Sequence, residues 1–381
     1  MPGQHAFLAP SAAGRWGVCA LSASLEAAYP ETEESPESLE GTAAHWVVEC
    51  VLRGHTIPVG FQTPNSVAVT QEMLEGASLV AKTIEATIGP HWREMIVIER
   101  RVQIPRIHPQ HCWGTPDYRA WAQPPDGRLI LFLFDYKFGH GIVDVIENDQ
   151  LVAYQSGLLD EMPGLDDQRT IVSMTIIQPR AYHRDGPVRT WRVLASDLRS
   201  QVNRLRNQAE SALLPSPPAT PDPEACKNCR GRVHCEANQR AGYSAAEKGQ
   251  QSTPINMSPH ALGLELRALK RAQALLNARV TGLEEEAVSI IKRGKLVPFW
   301  MMESTPGKLK WNKPVPEVIA LGQIYGVDVQ AEPDVITPTQ AKAKGLPESL
   351  VDAYASRPTG AAKLVFDDGT KARLTFTSSN T

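Results

Sequence analysis

Six apolar residues in succession, Leu129-Ile-Leu-Phe-Leu-Phe134, run without a break into Asp135-Tyr136-Lys137. The run is far shorter than the roughly 20 residues a membrane-crossing helix needs, and its composition predicts a buried strand. A carboxylate and an ammonium group that extend such a strand are either paired at its end or placed there for chemistry. Strand side chains alternate, so Asp135 and Lys137 point to one face. A second acid, Asp117, closes the segment Gly114-Thr115-Pro116-Asp117, and the turn Pro124-Pro125-Asp126-Gly127 joins the two strand-like runs into a hairpin. Acids on adjacent antiparallel strands can converge on one cation. Hydrolysis of a phosphodiester needs charge neutralised on the nonbridging oxygens and a water deprotonated near neutral pH, and carboxylate-bound Mg2+ supplies both. Lys137 suits the developing negative charge or the attacking water. An isolated Asp-x-Lys is commonly just a solvated strand end; the buried run before this one sets it apart.

The surrounding pattern predicts an α/β fold, with helices packed on a mixed central sheet. Helices are expected over Gly41–Leu52, Gln71–Ile88, Asn148–Leu159 and Ser196–Leu214, and strands over Met95–Ile104, Cys112–Ala122, Arg128–Lys137 and an alternating Thr170–Gln178. Glu31–Glu40, acidic and rich in Ser and Pro, reads as a loop. Gln150 and Tyr154 stand one helical turn apart and share a face, from which both can approach a substrate phosphate or base. Pro215–Pro223 is a stiff, extended connector. The expected division is 1–214 as the α/β core, 215–241 as connector and cysteine cluster, 242–259 as linker, and 260–381 as a mainly helical accessory region. That last region opens with one long helix or a helical pair from His260 to Arg293, whose apolar stripe includes Leu262, Leu266, Leu269, Leu275, Leu276, Val280 and Leu283.

A chain of 381 residues with 42% hydrophobic and 21% charged residues is ordinary for a soluble globular protein. Its formal net charge of −3 leaves any contact with a polyanion to a local patch. The first residues lack a basic flank followed by an apolar core, so a soluble intracellular protein is expected, with no membrane partner. In a reducing compartment the six cysteines are poor disulfide candidates. Cys226-Lys-Asn-Cys229-Arg-Gly-Arg-Val-His-Cys235 instead places three thiols within reach of one metal centre, with Cys19, His234 and Cys112 available as a fourth ligand. Cys50 and Cys112 read as buried and unreactive. Between His260 and Lys313 there are ten Lys or Arg (Arg267, Lys270, Arg271, Arg279, Lys292, Arg293, Lys295, Lys308, Lys310 and Lys313) against five Glu, with Trp300 and Trp311 beside the later ones. That mixture suits a nucleic-acid strand, and equally a solvated helix face with core tryptophans.

The ordered set Gly114-Thr115-Pro116-Asp117, Asp135-Tyr136-Lys137 and Gln150-Leu-Val-Ala-Tyr154, preceded by Gly41-Thr-Ala-Ala-His45, resembles the motifs of the PD-(D/E)XK nucleases, in particular their RecB-like exonuclease branch. The second acid is Asp rather than the commoner Glu, and the branch uses both. The resemblance implies that His45, Asp117, Asp135 and the Tyr136 carbonyl hold Mg2+ or Mn2+. Lys137 would assist the water, and Gln150 and Tyr154 would complete the catalytic set. Iron-sulfur members of the branch, Cas4-like and AddB-like, place one cysteine before the histidine motif and three after the core. By that resemblance Cys19, Cys226, Cys229 and Cys235 hold a 4Fe–4S cluster, with structural Zn2+ as the rival. Over most of its length the chain also resembles a family of phage and prophage proteins, DUF2800, including Gly294-Lys-Leu-Val-Pro-Phe-Trp300 and Ala361-Ala-Lys-Leu-Val-Phe366.

The implied function is a phage-type DNA exonuclease in the bacterial host cytoplasm, leaving 5′-phosphates and acting in recombination or DNA processing beside a strand-annealing partner. Two alternatives remain in view. One is a catalytically silent DNA-binding or replication-scaffold protein that retains the nuclease fold; the other is a zinc-stabilised interaction protein in which Asp117 and Asp135 are structural.

Overall fold

Residue choice at the element ends explains most of the local structure. The computed structural model describes residues 6–29, 35–124, 127–162, 165, 167–248 and 257–300. Residues 6–292 belong to one unit, and the remaining described residues, 293–300, to a second. After a 3-10 turn at Pro10–Ala12 the helices α1 (Ala13–Trp16), α2 (Leu21–Ala28), α3 (Pro36–Leu52), α4 (Gln71–Ile88) and α5 (Trp92–Met95) precede the first strands. Strands β1 (Val97–Ile98), β2 (Val102–Gln103), β3 (Trp113–Gly114), β4 (Tyr118–Ala122) and β5 (Leu129–Tyr136) follow, then α6 (Asp149–Asp160), β6 (Thr170–Ile177) and β7 (Val188–Leu194). The unit closes with α7 (Arg199–Ala212), α8 (Pro223–Asn228), α9 (Glu236–Lys248) and α10 (Pro259–Lys292). No described helix is long and apolar enough to cross a membrane.

Several boundaries differ from expectation for identifiable reasons. Helix α3 begins ahead of Gly41, inside the segment read as a loop, because Ser35 accepts the Ser38 N–H at 3.2 Å and Pro36 occupies the first turn. Met95–Ile104 and Cys112–Ala122 each split into two short strands. The first breaks at Glu99, whose φ of 44° leaves the extended region; the second breaks at Thr115-Pro116, where proline removes a ladder donor. Strand β6 is buried along its whole length rather than alternating. It is a central strand, and its polar positions are accommodated internally, as where Thr175 and Thr190 share a 2.9 Å hydroxyl hydrogen bond. Strand β7 and the helices before Tyr29 had no strong period in the sequence. Helix α9 runs through Gly242 into the segment expected as linker.

The main sheet is mixed, in the order β1-β4-β5-β6-β7. Strands β5 and β6 pair parallel, joined by the α6 crossover, and the other neighbours are antiparallel. Alternation along β5 divides the core. Phe132, Phe134 and Tyr136 pack with Tyr118, Ala43, Val47, Met73 and Val80 under α3 and α4. Leu131 and Leu133 face the other way, with Leu151, Val152, Leu158 and Leu205 of α6 and α7. Helices thus flank both faces of the sheet.

The α6 layer sits very close to β2. A Cβ built on Gly157 would lie 2.6 Å from both the Gln103 carbonyl oxygen and Val102 Cγ1. Gly157→Ala is therefore expected to push α6 off the β2 edge and to destabilise the fold by about 1–3 kcal/mol. A thermal melt checks this, and an unchanged midpoint contradicts the close packing.

Candidate active site

Asp117 and Asp135 are brought face to face by strand register. Tyr118 pairs with Phe134 across β4 and β5, so the next step toward the strand ends sets Asp117 opposite Asp135. Directly opposed like charges are unfavourable, and the surroundings respond to that. Asp117 Oδ2 accepts the Tyr136 backbone N–H at 2.8 Å and lies 3.7 Å from His45 Nδ1 on α3. Asp135, only 2% exposed, takes the Gln150 Nε2 amide on Oδ1 at 3.1 Å and has Lys137 Nζ 3.0 Å from Oδ2. Oδ2 has no hydrogen bond of good geometry and is a buried oxygen with spare acceptor capacity. Burial, reinforced by Asp117 and opposed by Lys137, raises the Asp135 pKa to about 6.

Lys137 projects on the same face as Asp135, as alternation requires. Its backbone N–H continues the parallel ladder to Ile177 O at 2.9 Å, and its Nζ donates to Gln150 Oε1 at 3.1 Å. Burial, the largest influence on this amine, favours the neutral form. Asp135 and Asp117 together outweigh it, and the pKa rises above the ordinary lysine value. The loop after Lys137 is held by Gln178, whose Nε2 donates to Gly139 O at 3.0 Å and Gly141 O at 2.6 Å, while Arg189 donates to Gln178 Oε1 at 2.7 Å. No sequence motif pointed to this buried bracket.

Gln150 and Tyr154 do share a face of α6, but both are engaged within the protein. Gln150 bridges Asp135 and Lys137. Tyr154 is buried and donates its hydroxyl to Thr115 O at 3.2 Å, so it anchors the segment that carries Asp117. Gly114 makes room for it, since a Cβ there would lie 3.0 Å from Tyr154 Cε1 and from Pro10 Cδ. Gly114→Val is expected to displace the Tyr154 ring and Asp117 with it. Tyrosine fluorescence and activity should change together; a variant with native activity would separate that glycine from the site.

Glu99 also belongs to this cluster, although its sequence context did not single it out. It follows β1, pairs one step beyond Ile98 and Tyr118, and donates its N–H to Asp117 O at 2.9 Å. Three neighbouring strands therefore each end on an acid. Burial first, then Glu49 and Asp117, push the Glu99 pKa up, and its left-handed backbone is uncommon for a residue with a side chain. The available signal was position: an acid directly after the apolar run 96–98, as Asp135 directly follows the apolar run 129–134.

The cysteine region forms a second focus. Cys19, Cys226 and Cys229 are buried and Cys235 half-buried. The N-terminal segment lies against the C-terminal one: Thr220 donates its N–H to Cys19 Sγ at 3.3 Å, Leu21 donates to Pro218 O at 3.1 Å, and Arg230 donates to Glu26 Oε1 at 3.3 Å. Asn238 donates to Cys235 Sγ at 3.5 Å. Burial raises the Cys226 pKa and, with Glu26 adding to it, pushes Cys229 up to about 12; Cys19 repels the thiolates of both. Of the other two candidates for a fourth ligand, Cys112 lies in the α6-side core and His234 stacks on Tyr29 with ring centres 4.1 Å apart. Among the described residues no three His, Cys, Asp or Glu side chains already stand in metal-holding geometry.

Part of the basic C-terminal stretch is occupied. Arg271 donates to Pro221 O at 2.9 Å and Arg279 to Val233 O, so both tie α10 to the cysteine segment. Trp300 is exposed; Lys308, Lys310, Trp311 and Lys313 lie outside the described residues. The sequence as a whole, from residue 5 to residue 371, matches the family described as a protein of unknown function, DUF2800, and the chain belongs to that family.

Proposed function

We propose that the protein is a Mg2+- or Mn2+-dependent DNA nuclease with a PD-(D/E)XK-type core, an exonuclease of DNA recombination or processing. The observation that carries this reading is the register-opposed pair Asp117 and Asp135, with the Lys137 ammonium 3.0 Å from Asp135 and His45 3.7 Å from Asp117. Among the described residues the two facing carboxylates have one ammonium beside them, which favours an added cation, and the buried Asp135 Oδ2, met by Lys137 Nζ at 3.0 Å, keeps acceptor capacity for it. The donor set suits a hard divalent ion: the Asp117 and Asp135 carboxylates, the Tyr136 carbonyl and the His45 imidazole. Such an ion, when bound, supplies Lewis acidity and a water of lowered pKa.

The remaining chemistry falls to the chain's own side chains. Lys137, kept protonated by its two acids, stabilises negative charge developing on the phosphoryl oxygens or orients the attacking water. Gln150 holds the lysine and Asp135 in register, and Tyr154 fixes the Thr115–Asp117 segment. These two residues are positioning groups. The four cysteines Cys19, Cys226, Cys229 and Cys235 are read as the ligands of a 4Fe–4S cluster that joins the N-terminal segment to the end of the core, Zn2+ being the alternative. Backbone N–H groups directed at Cys19 and Cys235 sulfur support that reading.

The test is incubation of end-labelled linear duplex and single-stranded DNA with the protein in Mg2+, Mn2+ or chelator. Metal-dependent shortening of the label is expected. Retention of DNA without degradation in any metal would favour the silent DNA-binding alternative.

A further inference from the structure

Helix α10 carries two different apolar faces. One is already used: Leu275 and Ala278 are buried with Cys226, and a Cβ on Gly282 would lie 3.0 Å from Arg232 Cγ and Val233 Cγ2. The other repeats with alternating spacings of four and three residues. Leu262, Leu269, Leu276, Leu283 and Ile290 form one row, and Leu266, Gln273, Val280 and Ala287 the row beside it. The mean spacing of 3.5 residues, held over four heptads, is that of a supercoiled seam. In heptad notation the first row is d and the second a. Yet much of this seam faces outward, with Leu262 58%, Leu269 54% and Leu283 46% exposed. The buried residues Leu275, Ala278 and Gly282 fall at c and f, away from the seam, while α9 flanks one edge of it, a Cβ on Gly242 lying 3.8 Å from Leu276 Cδ1 at d and 3.7 Å from Arg279 Cβ at g.

We propose that α10 pairs with α10 of a second copy of this chain, in parallel and in register, as a two-stranded coiled coil. Leucine at four of the five d positions, with the β-branched Val280 at one of the four a positions, suits two parallel strands, and the single polar a residue, Gln273, sets register by meeting its own counterpart. Charge agrees with this choice. In a parallel pair each g residue faces the e residue of the next heptad across the seam, which sets Glu265 of one copy against Lys270 of the other; Arg279, the g residue that would face Glu284, is held by Val233 O within its own copy. Every such g–e pair is opposite in sign or has at least one uncharged member. The rows are thus complementary to themselves, as a symmetric homodimer requires.

Light scattering on the full-length protein tests this. The expected mass is about twice 41.7 kDa. Leu269→Glu with Val280→Glu places charges in the seam and is expected to weaken association at least about 100-fold, giving monomer that keeps the native cooperative melt of the α/β core. Since that variant alone could act through misfolding, a charge exchange accompanies it. Glu265→Lys and Lys270→Glu should each weaken the dimer by roughly 2- to 10-fold, and the two together should restore it. A wild-type monomer throughout the micromolar range, an oligomer other than a dimer, a dimer that survives the double seam substitution, or a charge exchange that fails to restore association would each overturn the proposal.

Discussion

Asp135→Asn and Lys137→Ala are each expected to lower the proposed metal-dependent DNA cleavage by at least about 100-fold while leaving the folded protein intact. Asp135 sits where β5 ends, opposed to Asp117, and replacement by its isosteric amide keeps the Gln150 contact but removes the charge that would hold the ion. Lys137→Ala removes the only ammonium group placed against both acids among the described residues. A wild-type rate in either variant would end the nuclease reading. The raised Asp135 pKa adds a pH dependence with a definite sign. Because burial lifts it to about 6, a proton competes with the metal below that value, and metal affinity should fall roughly tenfold for each further pH unit. In the metal-free protein the same shift works the other way on stability: the ionised, buried carboxylate costs stability above pH about 6, and that cost is relieved as pH falls from there toward the ordinary value of 3.8. A Mn2+-induced rise in thermal midpoint should therefore be large at pH 8, small at pH 5, and absent in Asp135→Asn at both.

Cys226→Ser or Cys229→Ser is expected to abolish binding of the proposed cluster and to lower the thermal midpoint by on the order of 10 °C. Burial raises the pKa of Cys226 and pushes that of Cys229 up to about 12. Three buried thiols and a half-buried fourth, gathered from distant parts of the chain, are a poor arrangement unless a metal centre compensates the thiolates. The loss should spread beyond the cysteines, because Arg15, whose carbonyl accepts the Cys19 N–H at 2.8 Å, pairs with Glu26, and Leu25 packs so closely that its Cγ would lie 2.3 Å from a Cβ built on Gly231. Cys50→Ser and Cys112→Ser provide the contrast and should retain the metal. Protein purified without oxygen is analysed for iron, sulfide and zinc together with its visible absorbance. Zinc in place of iron would select the rival metal, and full iron retention in Cys226→Ser would remove the cluster assignment.

Much of this architecture is legible in local patterns. Helix α4 and the hairpin of β4 and β5 follow from periodicity and from turn residues, and α6 begins where Asn148 caps it, accepting the Gln150 N–H at 3.1 Å. Where the reading stopped, distant partners were involved. Strand β6 looked alternating because Thr170, Ser173 and Thr175 are polar, yet β5 and β7 on either side bury it completely. The apolar stripe of α10 read as one face, whereas Leu275 belongs to the side docked on the cysteine segment and Leu262, Leu269 and Leu283 to an exposed one.

Asp117, Asp135 and Lys137 could be singled out from sequence because their chemistry is written in residue type and in the alternation of a strand, both properties of neighbours along the chain. That Glu99 stands in the same row of acids, that Gln178 and Arg189 brace the loop beyond Lys137, and that Tyr154 is engaged by Thr115 could be decided only in three dimensions. Each depends on register between strands and on packing between elements distant in sequence. Periodicity says which side of an element is apolar; only the folded sheet says what lies across from it.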